Sequence, residues 1–195
     1  MGAPHNPYAY LQPFAVRESL FTPAELDAIV AAGDALPLRQ AGVVYTPGQS
    51  DADASQRVSR TAWMARGPQT DWLYNRIERA VRVLNQQIYQ FDLAGFSEPF
   101  QYTVYHANEG GHFDWHLDQI PNGAHRKLSF SLQLSDPGDY EGCDLEIHGG
   151  RKPLPAPRSR GALIAFPAYV MHRVTPIRAG TRLALVIWTA GPPFR

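Results

Sequence analysis

The 195-residue sequence has a single cysteine, Cys143. One thiol excludes an internal disulfide and every cysteine-cluster zinc or iron–sulfur site. No stretch approaches the roughly 20 consecutive apolar residues that cross a bilayer as a helix. Met1 to Leu11 lack the basic start and continuous apolar run of a secretory signal. The expectation is a soluble, cytoplasmic protein. Net charge is missing as well, because 18 Lys and Arg balance 18 Asp and Glu. Binding nucleic acid or an anionic membrane broadly needs a basic surface that displaces counterions, so zero charge argues against both. Also absent are a phosphate-binding Gly-x4-Gly-Lys-Ser/Thr loop, a Gly-x-Ser-x-Gly elbow and a His-Glu-x-x-His helix. What the chain does have is seven histidines, 16 glycines and 17 prolines. These point to many turns and to a histidine-built metal site.

At about 150 residues per domain the length suits one domain with a real core. It divides into helical support over about 1–95 and a β-barrel over about 96–191. Thr22-Pro23-Ala24-Glu25 is a capping box with proline at the first helical position, and Leu26, Ile29 and Val30 follow on one face. Gly33 to Pro37 end this helix. Leu73, Ile77, Ala80, Val81, Leu84 and Ile88 repeat at helical spacing and predict a second helix over about 71–89. Pro47 to Ser55, polar and rich in Gly and Asp, reads as a mobile loop near a substrate entrance. After Gly95 the period drops to about two. Strands are expected over 100–106, 127–134, 143–148, 162–166, 169–174 and 182–188. Turns separate them at 108–111, 121–123, 136–138, 149–150 and 179–180. This is an α+β pattern, mainly β: a sandwich or barrel with helices outside. Arg151 to Arg160, with three prolines and four basic residues, reads as a solvated connector ahead of a substrate-facing loop.

The informative stretch is Tyr105 to Asp118, YHANEGGHFDWHLD, with two His-x-Asp pairs, His112/Asp114 and His116/Asp118. In extended chain, residues two apart project to one side, so an imidazole and a carboxylate can converge on one cation. Strand parity does not choose between the pairs, since 112, 114, 116 and 118 share it. A third ligand is needed, and His125, His148 and His172 are candidates. His172 stands out in the mostly apolar run from Phe166 to Val174. Two histidines and one carboxylate on one octahedral face leave three adjacent positions open, the arrangement of non-haem Fe(II) oxygenases. Ten residues on, Arg182 shares a strand face with Ala184, Val186 and Trp188. An arginine pointing into such a strand needs an anion, and a small acid's carboxylate would serve through a bidentate fork.

In this order — His-x-Asp, about fifty residues, His, ten residues, then Arg in a strand ending in Trp — the chain resembles the Fe(II)/2-oxoglutarate-dependent dioxygenases, and within them the prolyl 4-hydroxylase-like branch. Gln101 to Tyr105, Gly111, Phe113, Arg126 to Ser129 and Tyr140 to Leu145 carry the resemblance further, over about residues 98–191. It implies a double-stranded β-helix, a jelly-roll-like barrel. It also favours His116/Asp118, with an aromatic, Phe113, three residues before the histidine and the next strand opening near Arg126. His112 and Asp114 then become rim groups.

By the same resemblance His116, Asp118 and His172 bind Fe(II), and Arg182 grips the distal carboxylate of 2-oxoglutarate. Tyr105, with Tyr102 as competitor, helps position that cosubstrate, and Gln133 is another polar contact to it. The implied activity is hydroxylation of an unactivated C–H bond, with O2 consumed, succinate and CO2 released and ascorbate as an optional reductant. An aspartate at 118 favours hydroxylation over halogenation. The expected substrate is an amino-acid side chain, prolyl in type, in a peptide or protein. A free amino acid or small metabolite is the alternative, and a non-catalytic cupin-like metal-binding module a further one. Repair of alkylated nucleic acid uses the same chemistry, but zero net charge speaks against a nucleic-acid partner. Cys143 stands where relatives have the second glycine of a pair. Arg57 and Arg60 lie where similar proteins put substrate-facing groups, with a structural ion pair as the competing role. His106, His125 and His148 read as ordinary strand-end or surface histidines.

Overall fold

The computed structural model describes residues 13–46, 49–51, 53–119, 125–150 and 152–194, with the side chains of 44–46 and 49–51 excepted. The capping box forms as the sequence predicts. The Thr22 hydroxyl accepts from the Glu25 N–H at 3.3 Å, and the Glu25 carboxylate accepts from the Thr22 N–H at 2.9 Å. It starts helix α1, Pro23–Asp34, which buries Leu26, Ile29 and Gly33. Helix α2, Asp71–Leu84, buries Leu73, Tyr74, Ile77, Ala80, Val81 and Leu84 along one stripe. Each large side chain removed from water there contributes about 1.5–3 kcal/mol. The expected helix end at 89 is met by one wider π turn, Asn85–Tyr89. The Asn85 side chain closes that turn, donating to the Phe91 carbonyl and accepting from the Phe91 N–H.

The first half adds strands that the sequence reading did not include: β1 (Ala15–Arg17), β2 (Arg39–Gln40), β3 (Val43–Thr46), β4 (Gln49–Asp51) and β5 (Arg57–Val58). Segments this short cannot show a period, and tertiary pairing alone makes them strands. It also holds β6 (Arg60–Met64), where Thr61 to Met64 form a strand-like apolar run in the sequence. Then follow β7 (Gly95–Phe96), β8 (Phe100–His106), β9 (His112–His116), β10 (Arg126–Gln133), β11 (Tyr140–Gly142) and β12 (Leu145–His148). The series ends with β13 (Pro153–Pro155), β14 (Leu163–Pro167), β15 (His172–Val174) and β16 (Ile177–Ala190).

Two large antiparallel sheets result, beside a small antiparallel pair of β3 and β4. The larger runs β1-β14-β10-β16-β8-β6-β2, with β7 and β11 also on β16, and the smaller runs β13-β12-β15-β9-β5. They enclose one cavity, which makes the double-stranded β-helix. The strand alternation of the larger sheet positions everything else. On β10, Leu128, Phe130 and Leu132 join the core formed with α1 and α2, while Ser129, Ser131 and Gln133 take the opposite parity. On β16, Leu183, Leu185 and Ile187 face the helices, and Arg182, Ala184, Val186 and Trp188 line the cavity.

Several expected boundaries shift. The strand expected from 169 begins at His172, because Val170 closes a turn onto the Pro167 carbonyl. The turn expected at 179–180 lies inside β16, where Gly180 at φ +74° lets the β11 chain pass so close that a Cβ would meet the Asp139 carbonyl. The turn read at 121–123, and residues 47, 48 and 52 of the entrance loop, lie outside the described residues. The basic connector ties loops together: Arg158 donates to the carbonyls of Pro137 and Tyr140, and Arg160 pairs with Asp27 at 2.7 Å. Among the described residues no helix is long and apolar enough to cross a membrane.

Candidate active site

His116 ends β9, Asp118 follows two residues later, and His172 opens β15, directly across the ladder from His116. One potential ligand atom from each lies within 4.8 Å of the others. The Asp118 carboxylate faces both imidazoles, Oδ1 at 3.9 Å from His116 Nε2 and Oδ2 at 3.4 Å from His172 Nε2. Both rings are turned by their other nitrogen. His116 Nδ1 donates to the Asp114 carbonyl at 2.7 Å, and His172 Nδ1 to the Val170 carbonyl at 2.9 Å. A carbonyl only accepts, so the proton sits on Nδ1 and each Nε2 presents a lone pair to the same space. Burial, and the neighbouring His172, hold His116 well below its ordinary pKa. Burial works to raise Asp118, but His172, His116, Arg126 and the Ser129 hydroxyl outweigh it and keep the carboxyl ionised. Neutral imidazoles and an anionic carboxylate are the protonation states a divalent cation requires.

A β-bulge sets which His-x-Asp pair faces the cavity. Two steps along β15, from His172 to Val174, match three along β9, from His116 back to Phe113. The extra residue breaks the parity that His112, Asp114 and His116 share in the sequence. Phe113 and His116 therefore stack, 3.5 Å between ring centres, and both line the cavity. His112 instead turns its Nδ1 to the Gly110 carbonyl at 2.8 Å, and Asp114 is exposed, capping the Trp115 N–H.

The cavity encloses about 850 Å³, enough for a small dicarboxylate beside a second, larger molecule. The Arg182 guanidinium is 2% exposed. Its Nη2 donates to Gln133 Oε1 at 2.8 Å and its Nε has no hydrogen-bond partner. Tyr105, directly across the ladder, holds its ring 5.6 Å from that guanidinium. Burial works to lower the Arg182 pKa, but Cys143, Tyr105 and Tyr140 more than offset it, so the charge is secure. Tyr102 has the opposite parity. It packs among the helices and its hydroxyl donates to Asp34 at 2.7 Å, far from this chemistry. Cys143 is fully buried at φ +54°, keeping the left-handed backbone that glycine would adopt there.

Two neighbours, Ser129 and Arg126, carry weight that the sequence reading did not assign, and a third, Arg57, was read as either substrate-facing or part of an ion pair. The Ser129 hydroxyl donates to Asp118 Oδ2 at 2.6 Å. Arg126, ion-paired with Glu98 and stacked over Trp188 at 3.9 Å, donates to the Asp118 carbonyl at 3.3 Å. Arg57 is buried in the cavity wall. The signal for Ser129 was the alternation Leu128-Ser129-Phe130-Ser131-Leu132-Gln133, apolar toward the helices and polar toward the interior. Arg60, by contrast, forms an exposed ion pair with Glu109 at 2.5 Å. His106 bonds Thr181 at 3.1 Å, His148 packs edge-on to Trp115, and His125 is exposed.

A two-histidine, one-carboxylate donor set opening onto a cavity with a buried, half-satisfied arginine fits Fe(II) and a dicarboxylate together. Residues 100–190 match the family model of the 2OG-Fe(II) oxygenase superfamily. That match covers a little under half of the chain, and the fold is that of solved prolyl hydroxylases. A PKHD-type hydroxylase of Nitrobacter winogradskyi is 40% identical over 85 residues, which are 41% of this chain and 37% of that protein. The matched stretch thus spans about two fifths of the length of the curated relatives. A Pseudomonas putida prolyl-4-hydroxylase superposes with a TM-score of 0.72 at 19% identity, covering 93% of this chain and 94% of that one. A Trichoplax adhaerens prolyl hydroxylase, solved with a peptide fragment of hypoxia inducible factor, gives 0.77 at 14% identity, covering 92% and 84%.

Proposed function

We propose that this protein is an Fe(II)- and 2-oxoglutarate-dependent oxygenase that hydroxylates an unactivated C–H bond of an amino-acid side chain, prolyl in type, in a peptide or protein. The observation that carries the reading is the pairing of the largely buried His116/Asp118/His172 cluster with the Arg182 guanidinium in one cavity. Held by those three side chains, the iron would supply O2 activation coupled to oxidation of 2-oxoglutarate to succinate and CO2. Arg182, braced by Gln133, would take the far carboxylate of the cosubstrate, with the Tyr105 ring beside it. Two oxygen atoms of a carboxylate match the parallel donors of a guanidinium, so this contact orients the cosubstrate as well as neutralising it. The Nδ1 bonds to Asp114 and Val170 keep both imidazoles in the ligand tautomer, and Ser129 keeps Asp118 in place. The apolar cavity wall formed by Leu145, Phe166 and Val174 keeps water from the reacting centre. The peptide bound to the Trichoplax enzyme supports a peptide substrate, and a single buried thiol agrees with a reducing, cytoplasmic setting.

The test is succinate formation from 2-oxoglutarate with Fe(II), and a gain of one oxygen in peptides and cell extract followed by mass spectrometry. His116→Ala, Asp118→Ala and His172→Ala are each expected to abolish turnover. Arg182→Ala is expected to raise the KM for 2-oxoglutarate at least tenfold with a smaller effect on kcat. Full turnover by a double ligand variant would refute the assignment, as would iron lost by His112→Ala but kept by His116→Ala.

A further inference from the structure

Arg57 is, with Arg126 and Arg182, one of three buried arginines lining the cavity among the described residues. Of the described carboxylates only Asp118 reaches it, through its field and with no direct bond. The Arg57 side chain is 8% exposed. Nε donates to Ser59 Oγ at 2.8 Å and Nη2 to Gln101 Oε1 at 3.0 Å, while the guanidinium lies 4.5 Å over the Phe113 ring. All three partners are neutral. Among the described residues no carboxylate forms a hydrogen bond or ion pair with it. An uncompensated buried guanidinium is costly, and neutral hydrogen bonds hold its position without cancelling its charge.

The charges of the loaded site do not cancel it either. The two positive charges of Fe(II) meet one negative charge from Asp118 and two from 2-oxoglutarate, and Arg182 supplies the positive charge that brings this group to zero. Arg126 is matched by Glu98. Among the described residues Arg57 is then left as a single net positive charge facing the cavity. It is also close to the reacting centre. The Phe113 ring centre lies 4.5 Å from the Arg57 guanidinium carbon and 3.5 Å from the His116 imidazole centre, so the two groups are no more than 8.0 Å apart. The register makes this arrangement rigid, because Arg57 on β5 pairs directly with Phe113 on β9.

We propose that Arg57 binds a carboxylate of the primary substrate, so that the enzyme acts on a carbon a few bonds from that carboxylate. The proposal rests on the oxygenase reading above and narrows its substrate class. The carboxylate belongs either to a free amino acid or to a peptide, as its C-terminus or as an acidic residue beside the target. In both cases the amide analogue, which keeps the shape and loses the charge, is rejected.

Calorimetry on the protein loaded with Mn(II) and 2-oxoglutarate tests this without turnover. The probes are free L-amino acids against their carboxamides, a proline-containing pentapeptide with free or amidated C-terminus, and the same amidated peptide with Asp or Asn next to proline. At least one acid is expected to bind tenfold or more tightly than its amide partner, and the pair that shows the contrast identifies the source. Arg57→Gln is expected to erase the preference, and Arg57→Lys, which keeps the charge but not the fork, to restore part of it. Equal binding of acids and amides overturns the proposal, as does a preference unchanged in Arg57→Gln or no binding by any acid. If Arg57→Gln does not fold, the wild-type contrast and Arg57→Lys still decide. Acid-selective binding without succinate formation under Fe(II) and O2 would sink the oxygenase reading and leave the carboxylate site standing.

Discussion

Asp118 collects, on one carboxylate, two imidazoles, the Ser129 hydroxyl and the field of Arg126. The hydroxyl bond fixes Oδ2 at 2.6 Å and leaves the rest of the carboxylate free to meet a cation. Ser129→Ala should therefore fold normally and weaken metal binding by about 10–100-fold, read by titrating Mn(II) into the apoprotein. Unchanged affinity would show that Ser129 only fills space. Single residues also show where sequence reading stops. His172 was legible because a histidine is out of place in an apolar run. The role of Ser129 lay in an alternation that became meaningful only once the interior face was known. Arg57 and Arg60 stand three residues apart and look alike in the sequence. One is exposed against Glu109 and the other buried with no carboxylate bonded to it among the described residues, and only the fold separates them.

At the scale of elements, α1 packs its last turn on the large sheet. Gly33 lies against the Tyr102 ring, where a Cβ would come within 2.5 Å, and Tyr102 donates to the adjacent Asp34. Glycine to alanine inside a helix ordinarily gains about 1 kcal/mol. Here Gly33→Ala should instead lose about 1–3 kcal/mol, because the methyl forces helix and sheet apart. Urea denaturation would measure it, and a stabilised variant would disprove this packing account. The bulge in β9 is the other element-scale feature. Helices α1 and α2 were legible from capping chemistry and a 3.6-residue period, and the long strands from alternation. The bulge was not, since one extra residue in a ladder is defined by its partner strand, here β15.

At the scale of the whole molecule, four tyrosines tie the helical layer, the sheets and the cavity together. Tyr74 and Tyr89 donate to the Met64 and Ala165 carbonyls, Tyr102 to Asp34, and Tyr105 lies in the cavity beside Arg57 and Arg182. Burial raises the pKa of all four. A folded-state pKa above the unfolded value near 10 means that the unfolded chain releases these protons first. Stability from these groups is complete below about pH 10 and is lost as pH rises beyond it. The urea midpoint should be level between pH 8 and 9 and fall from pH 10 upward as the tyrosinate absorbance rises. A midpoint that holds through pH 11 would contradict the burial of these hydroxyls.

The amino-acid order by itself determined the two helices, the mainly β second half and the residue types of a two-histidine, one-carboxylate set with an arginine ten positions on. These rest on short-range chemistry: periodicity, capping and spacing along a strand. Tertiary structure alone decided which His-x-Asp pair enters the cavity, which of Tyr102 and Tyr105 faces Arg182, and that Arg57 faces the interior with no bonded carboxylate among the described residues. Each depends on what lies across a ladder or on the far side of a sheet. Pairing between β5, β9 and β15, strands far apart in the chain, sets those positions, and no local pattern encodes it.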